Sequence, residues 1–280
     1  MHVDFLTLMP EMFGPVLNTG VIGRAAVAQR FSWRAVHIRS FATGRHRVTD
    51  EAPFGGGAGM VMKAGPMVNA IRWATSHGAD VPSPPLDAEG FPAPADRRRG
   101  PGVVVALLDP AGTPFTQSVA SKYARTVEHL VLVCGRYEGV DERVKAQVDE
   151  CLCVGDAVLT GGELPALMVA DAVLRLLPGT LGNDQSVIEE SHTDGVLEYP
   201  HYTRPREFEG VEVPPVLMGG NHALVARWRR MQSLVKTRSA RPDVFARLAL
   251  TPADQLLLDE ADGKPPPPKR KRRKPRPTAP

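Results

Sequence analysis

No stretch of this 280-residue chain is both long and apolar enough to cross a bilayer. The longest apolar run, residues 164–177, is interrupted by Asp171 and Arg175. The opening MHVDFLTLMP has no basic leader and no small-residue cleavage pattern, so a cytoplasmic protein without a membrane partner is expected. Cysteine is scarce. Cys134, Cys151 and Cys153 sit in apolar runs, as small buried residues of a reducing compartment do. Cys151 and Cys153 have no Cys or His at zinc-like spacing, so no metal is expected. A P-loop, a GxGxxG after a first strand and a GxSxG elbow are all missing, which argues against phosphoryl transfer, nicotinamide chemistry and serine hydrolysis.

What is present is a soluble-type composition, 42% apolar and 23% charged, in a length that suits one large or two ordinary domains. The net charge of +3 hides a division. Eight of the 34 Lys and Arg fall after residue 263, leaving 26 against 31 acids, a net of −5, in residues 1–263. The tail, residues 263–280, is proline-rich and basic with nothing apolar to bury, and is expected to be disordered. It suits either loose RNA binding or solubilisation. Any nucleic-acid contact by the acidic body requires a local patch.

Along the chain, strands are predicted at residues 3–8, 33–38, 103–108, 129–134 and 151–159. Helices are predicted from about Glu11, at 21–30, 65–77, 114–125, 141–146 and 163–177, and later at 221–235, 242–250 and 252–262. Residues 43–61, TGRHRVTDEAPFGGGAGMV, are too glycine-rich for regular structure and read as a functional loop. Residues 80–102 read as an exposed proline-rich insertion, and 182–200 as a linker or lid. Alternating strands and helices predict an α/β fold with a mainly parallel sheet covered on both faces. In such sheets ligands gather at the carboxyl ends of the strands. Three glycine-bearing segments fall there: DPAG (109–112), CGRYEG (134–139) and GDAVLTGGELP (155–165). In the last, Gly161 and Gly162 separate a strand from a helix start, a bend that brings backbone close to a ligand beside unpaired N–H groups. The helix at 163–177 is apolar nearly all round, which fits burial between two subunits or inside one thick domain. Arg227, Arg229, Arg230, Lys236, Arg238 and Arg241 surround Trp228 in a basic stretch that suits RNA or a solvated helix face. The acids Glu138, Asp156, Glu163, Glu189 and Glu190, with Arg175, fall near the glycine loops. Transfer of a group from a held donor to an oriented acceptor needs little more than these and one base.

Seven segments, RHRVTDEAPFGGGAGM, LVCGRYEGVDERV, GDAVLTGGELPA, LPGTLGN, SHTDGVLEYPHYTRP, VPPVLMGGNHALVARWRR and SLVKTRSARP, together resemble the bacterial tRNA (guanine-N1) methyltransferases. The resemblance runs from the first strand to about Asp262, leaving out the insertion and the tail. It implies methylation of the guanine 3′-adjacent to the anticodon with S-adenosylmethionine, by a homodimer whose active site lies at the subunit interface. It also implies a trefoil knot of the SPOUT type in residues 1–181 and a small all-α tRNA-binding domain at 201–262. Carried over by motif, the donor site is Pro110, Gly135, Tyr137, Glu138, Val154, Gly155, Asp156, Ala157, Val158, Leu159, Gly161, Gly162 and Pro165. Arg175 falls where guanine O6 is stabilised, and Glu190 where the base stands, with Asp194 as the rival base and RNA contact. Arg45, His46, Arg47, Arg227, Arg229 and Arg230 are the remaining expected tRNA contacts, and residues 55–57 are expected to shape the guanine pocket. The chain departs from the family at Glu190, where an aspartate is usual, and at Ala157, where an aromatic is usual. Two alternatives stay open: another SPOUT RNA methyltransferase, and a non-catalytic RNA-binding relative.

Overall fold

The computed structural model describes residues 1–84, 100–181 and 195–265. The chain forms two compact units, Met1–Asp184 and Gln185–Pro280. The first is built on β1 (His2–Thr7), β2 (Ser32–His37), β3 (Val103–Pro114), β4 (His129–Cys134) and β5 (Glu150–Cys153). Their order across the sheet is β2-β1-β4-β3-β5, with every pairing parallel. Near-continuous apolar runs make these strands, because a parallel sheet is buried on both faces. Alternation then divides them between two cores. Leu130, Leu132 and Cys134 face the helices α1 (Gly20–Val27), α3 (Gln117–Thr126) and α4 (Glu163–Leu174). Val131 and Val133 face α2 (Ala64–Ser76).

Several boundaries differ from the sequence expectation. The helix expected from Glu11 is a short 3-10 turn, Pro10–Met12, followed by one turn at Gly14–Leu17, since Pro15 has no N–H for a continuous ladder. Strand β3 runs on through DPAG to Pro114, because Thr113 and Pro114 pair with Leu152 and Cys153 of the edge strand; α3 therefore begins only at Gln117. Strand β5 stops at Cys153 rather than 159, and the backbone beyond it leaves the sheet and is exposed. Residues 43–61 are not wholly irregular: Asp50–Glu51 pairs antiparallel with Val61–Met62, pinning the loop at its base.

The second unit carries α5 (His222–Ala240) and α6 (Pro252–Ala261) over a small core of Val196, Leu234, Leu257 and Leu258. Asn221 caps α5 by accepting a hydrogen bond from Leu224 N–H, and Thr251 with Asp254 forms a capping box on α6. The expected all-α character is corrected by a small hairpin, Glu207–Phe208 with Val211–Glu212. Its two-residue turn, Glu209-Gly210, has both φ values positive, +51° and +79°, the backbone a tight hairpin requires.

Candidate active site

The carboxyl ends of β3, β4 and β5 meet at one edge, and a cleft enclosing roughly 390 Å³ of empty space opens there. Its walls are apolar side chains and bare backbone. Pro110, Val154, Gly155, Ala157, Leu159, Gly161, Gly162 and Pro165 all line it. Leu108, Asp109, Leu152 and Cys153 line it as well and were not singled out from the sequence. Their positions at the ends of β3 and β5 were the available signal, since a strand that delivers a loop to a cleft also delivers its last residues. Gly135, Tyr137, Glu138, Asp156 and Val158 do not form its lining.

Close backbone packing makes the wall. Gly162 N–H donates to Gly135 C=O at 2.8 Å, so the loop after β4 and the loop after β5 are stitched together. A side chain on Gly162 is excluded by space: a Cβ there would lie 2.8 Å from Cys134 Cα and 3.0 Å from Gly135 N. Cys134 itself is fully buried, and burial first, then the nearby Glu163 carboxylate, pushes its thiol well up, so it is a packing residue. Tyr137 is half exposed with φ +62°, at the turn of the CGRYEG loop. Glu138 points away from the cleft toward the glycine-rich loop. Its N–H donates to Met60 C=O at 3.1 Å, and a Cβ on Gly59 would fall 2.4 Å from its Oε1. Val158 and Asp156 are exposed.

The remaining expected site residues divide into three groups. Arg175 is half-buried at the C-terminal end of α4, its N–H bonded to Asp171 C=O at 3.1 Å. Glu190 and Asp194 lie outside the described residues. In the glycine-rich loop Arg45 and His46 are exposed, whereas the Arg47 guanidinium donates to Ser40 C=O at 3.3 Å. A second, open groove runs beside that loop, lined by Phe54, Lys63, Val140 and Arg143 among others but not by residues 55–57. On α5, the arginines face acids of α6 and its end. Arg227 pairs with Glu260, Arg230 is bidentate to Asp254 at 2.8 and 3.2 Å, and Arg238 is bidentate to Asp262. Arg229 stacks over Tyr199, 4.7 Å from the ring centroid. The Arg230 hydrogen bond holds the Asp254 carboxyl down at about 2.

Comparison with known proteins agrees with this arrangement. The family described as tRNA (Guanine-1)-methyltransferase TrmD matches residues 1–247. Relatives named tRNA (guanine-N(1)-)-methyltransferase include one from Myxococcus xanthus, 49% identical over 256 residues, 91% of this chain and 95% of its own. One from Moorella thermoacetica is 47% identical, covering 93% of this chain and 96% of its own. Another, from Staphylococcus carnosus, is 42% identical over 92% of this chain and 96% of its own.

Proposed function

The chain belongs to the tRNA (guanine-1)-methyltransferase family, and from that premise we propose that it transfers a methyl group from S-adenosylmethionine to guanine N1 at tRNA position 37, 3′-adjacent to the anticodon. The observation that carries the reading is the cleft where Pro110, residues 154–162 and Pro165 meet at the carboxyl edge of a parallel sheet. Its chemistry fits the donor. Leu108, Leu152 and Leue159 offer apolar walls to a flat heterocycle, the Gly161-Gly162 backbone allows close approach, and Asp109 is the one carboxylate in the lining. Bound there, the donor supplies an electrophilic methyl group.

The protein's own residues have two tasks. Guanine N1 carries a proton that must leave as the N1–C bond forms, and charge moves toward O6. We assign proton removal to the Glu190 carboxylate, with Asp194 as its rival, and O6 stabilisation to the Arg175 guanidinium, always charged. The longer side chain of Glu190 keeps the carboxylate of the family's aspartate with one added methylene. Small Ala157 on the cleft wall leaves the donor one contact fewer.

The same premise extends to topology and assembly. A trefoil knot is supported by β3 lying between β4 and β5, and by the hydrogen bond that draws the 154–162 segment against the 134–139 loop. A homodimer with its active site at the subunit interface is supported by Leu164 and Met168, one turn apart on α4 and each about half exposed on an otherwise buried helix. Exposed Arg45, His46 and Arg227 are the tRNA contacts we favour. No described helix is long and apolar enough to cross a membrane, and the tRNA substrate puts the reaction in the cytoplasm.

The test is incubation with labelled S-adenosylmethionine and unmodified tRNA, followed by nucleoside analysis. Appearance of 1-methylguanosine is expected. A ribose-methylated product, or no donor binding by calorimetry, refutes the reading. Glu190→Gln is expected to lower kcat by 100-fold or more, the order of a lost general base. Full turnover in that variant with none in Asp194→Asn moves the base to Asp194.

A further inference from the structure

Glu163 is the first residue of α4, yet its side chain is only 1% exposed. A negative charge is favoured at a helix N-terminus, but this carboxylate is not turned to its own helix. Oε1 accepts hydrogen bonds from the Thr7 hydroxyl at 2.8 Å and from Arg136 Nε–H at 2.9 Å. Thr7 ends β1, and Arg136 belongs to the CGRYEG loop after β4. Oε2 is buried and has no hydrogen-bond partner among the described residues. A carboxylate kept solely for stability would satisfy both oxygens, since an unpaired buried oxygen carries its whole desolvation penalty.

The location of that oxygen explains its presence. A Cβ on Gly161 would lie 2.5 Å from Glu163 Oε2, 3.0 Å from Arg136 Cγ and 3.1 Å from Arg136 Nε. The ion pair thus lies directly across the Gly161 backbone, and Gly161 lines the cleft. Arg136 and Gly161 also form an isolated antiparallel bridge, and Arg136 N–H reaches Met62 Sδ at 3.2 Å. We infer that Glu163 is a positioning residue for the methyl donor: its carboxylate, holding Arg136 across Gly161, sets the distance between the two loops that bound the cleft. It touches neither reacting group and acts only through the wall it holds. This rests on the donor reading of the cleft.

The experiment measures S-adenosylmethionine binding by calorimetry, thermal melting, and kcat and donor KM with tRNA saturating, for the unaltered protein, Glu163→Gln, Arg136→Met and the double variant. Each single variant is expected to raise the donor Kd and KM threefold or more, with kcat at saturating donor within threefold of normal. The double variant leaves no unpaired buried charge, so it regains melting temperature over Glu163→Gln while the donor Kd stays raised. A Kd within threefold of normal in the singles overturns the inference, and so does a Kd that recovers together with the melting temperature. If a single variant does not fold, the double variant decides by the same threshold. Failure of the unaltered protein to bind the donor refutes the donor reading itself, a result distinct from either.

Discussion

Two positions show how little slack the first unit has. Gly162 has an ordinary φ of −79°, so a larger residue meets no backbone strain; it meets atoms, with Cys134 Cα 2.8 Å from any Cβ. Gly162→Ala is therefore expected to cost about 1–3 kcal/mol of overpacking, read as a lowered denaturation midpoint, and to weaken donor binding because the displaced backbone is cleft wall. Asp4 is fully buried on β1, bidentate to Arg34 at 2.7 and 2.6 Å and within hydrogen-bond distance of His2 and His129. Burial alone would raise its carboxyl, but the bonds from His129, His2 and Arg34 outweigh that and hold it far below the usual carboxylate range. Asp4→Asn leaves Arg34 buried against a neutral partner, and a loss of about 3–5 kcal/mol in equilibrium unfolding is expected. A loss below 1 kcal/mol would mean that Arg34 finds another partner, its other bonds being to Gly78 and Val81 carbonyls.

Helices α5 and α6 are joined by complementary rows: Arg227, Arg230 and Arg238 on one, Glu260, Asp254 and Asp262 on or beside the other. This gives a pH dependence whose sign can be worked out. The Asp254 carboxyl lies at about 2 in the folded unit against an ordinary 3.8, so it is depressed. Its contribution is complete above about 3.8 and is lost as the pH falls toward 2. Helical signal followed by circular dichroism on acid titration is expected to fall in that window. Asp254→Asn should start from lower stability and show a shallower fall; an unchanged titration would separate the ion pair from the unit's stability. The pairing also limits RNA binding, because guanidinium groups already bidentate to carboxylates have fewer donors left for phosphate.

In the assembled enzyme the decisive surface is the outer side of α4. Ala166, Leu167, Val169, Ala170, Val173 and Leu174 are buried in the core of the first unit, while Leu164 and Met168 stay about half exposed. Met168→Asp is expected to convert a dimer to a monomer in sedimentation velocity, with loss of turnover if each site needs both subunits. A dimer that survives the substitution would move the interface elsewhere.

Strands β1 and β4 were legible to within a residue, because their apolar runs are bounded by polar or glycine-bearing segments on both sides. The three-loop edge was legible for a similar reason: parallel strands must deliver their following loops to one side. The extension of β3 through DPAG was not, since what holds Thr113 and Pro114 extended is β5, almost forty residues later. Nor was the fate of Glu163, read as one acid among several near the loops. Its partner Thr7 is 156 residues distant in the chain. The basic stretch on α5 had the composition of an RNA surface, and only the fold brought acids from 24 to 33 residues downstream against it.

Pattern within a few residues was enough for strand and helix type, the glycine bend at 161–162, the unlike charge of body and tail, and, through its motifs, the family. Those are settled by local sterics, periodicity and composition, which neighbours in the chain control. Which cations are neutralised, which carboxylate is buried and which backbone forms the cleft wall were decided by tertiary packing. Each depends on groups far apart in sequence, brought within 3 Å only when the sheet and helices close on their cores.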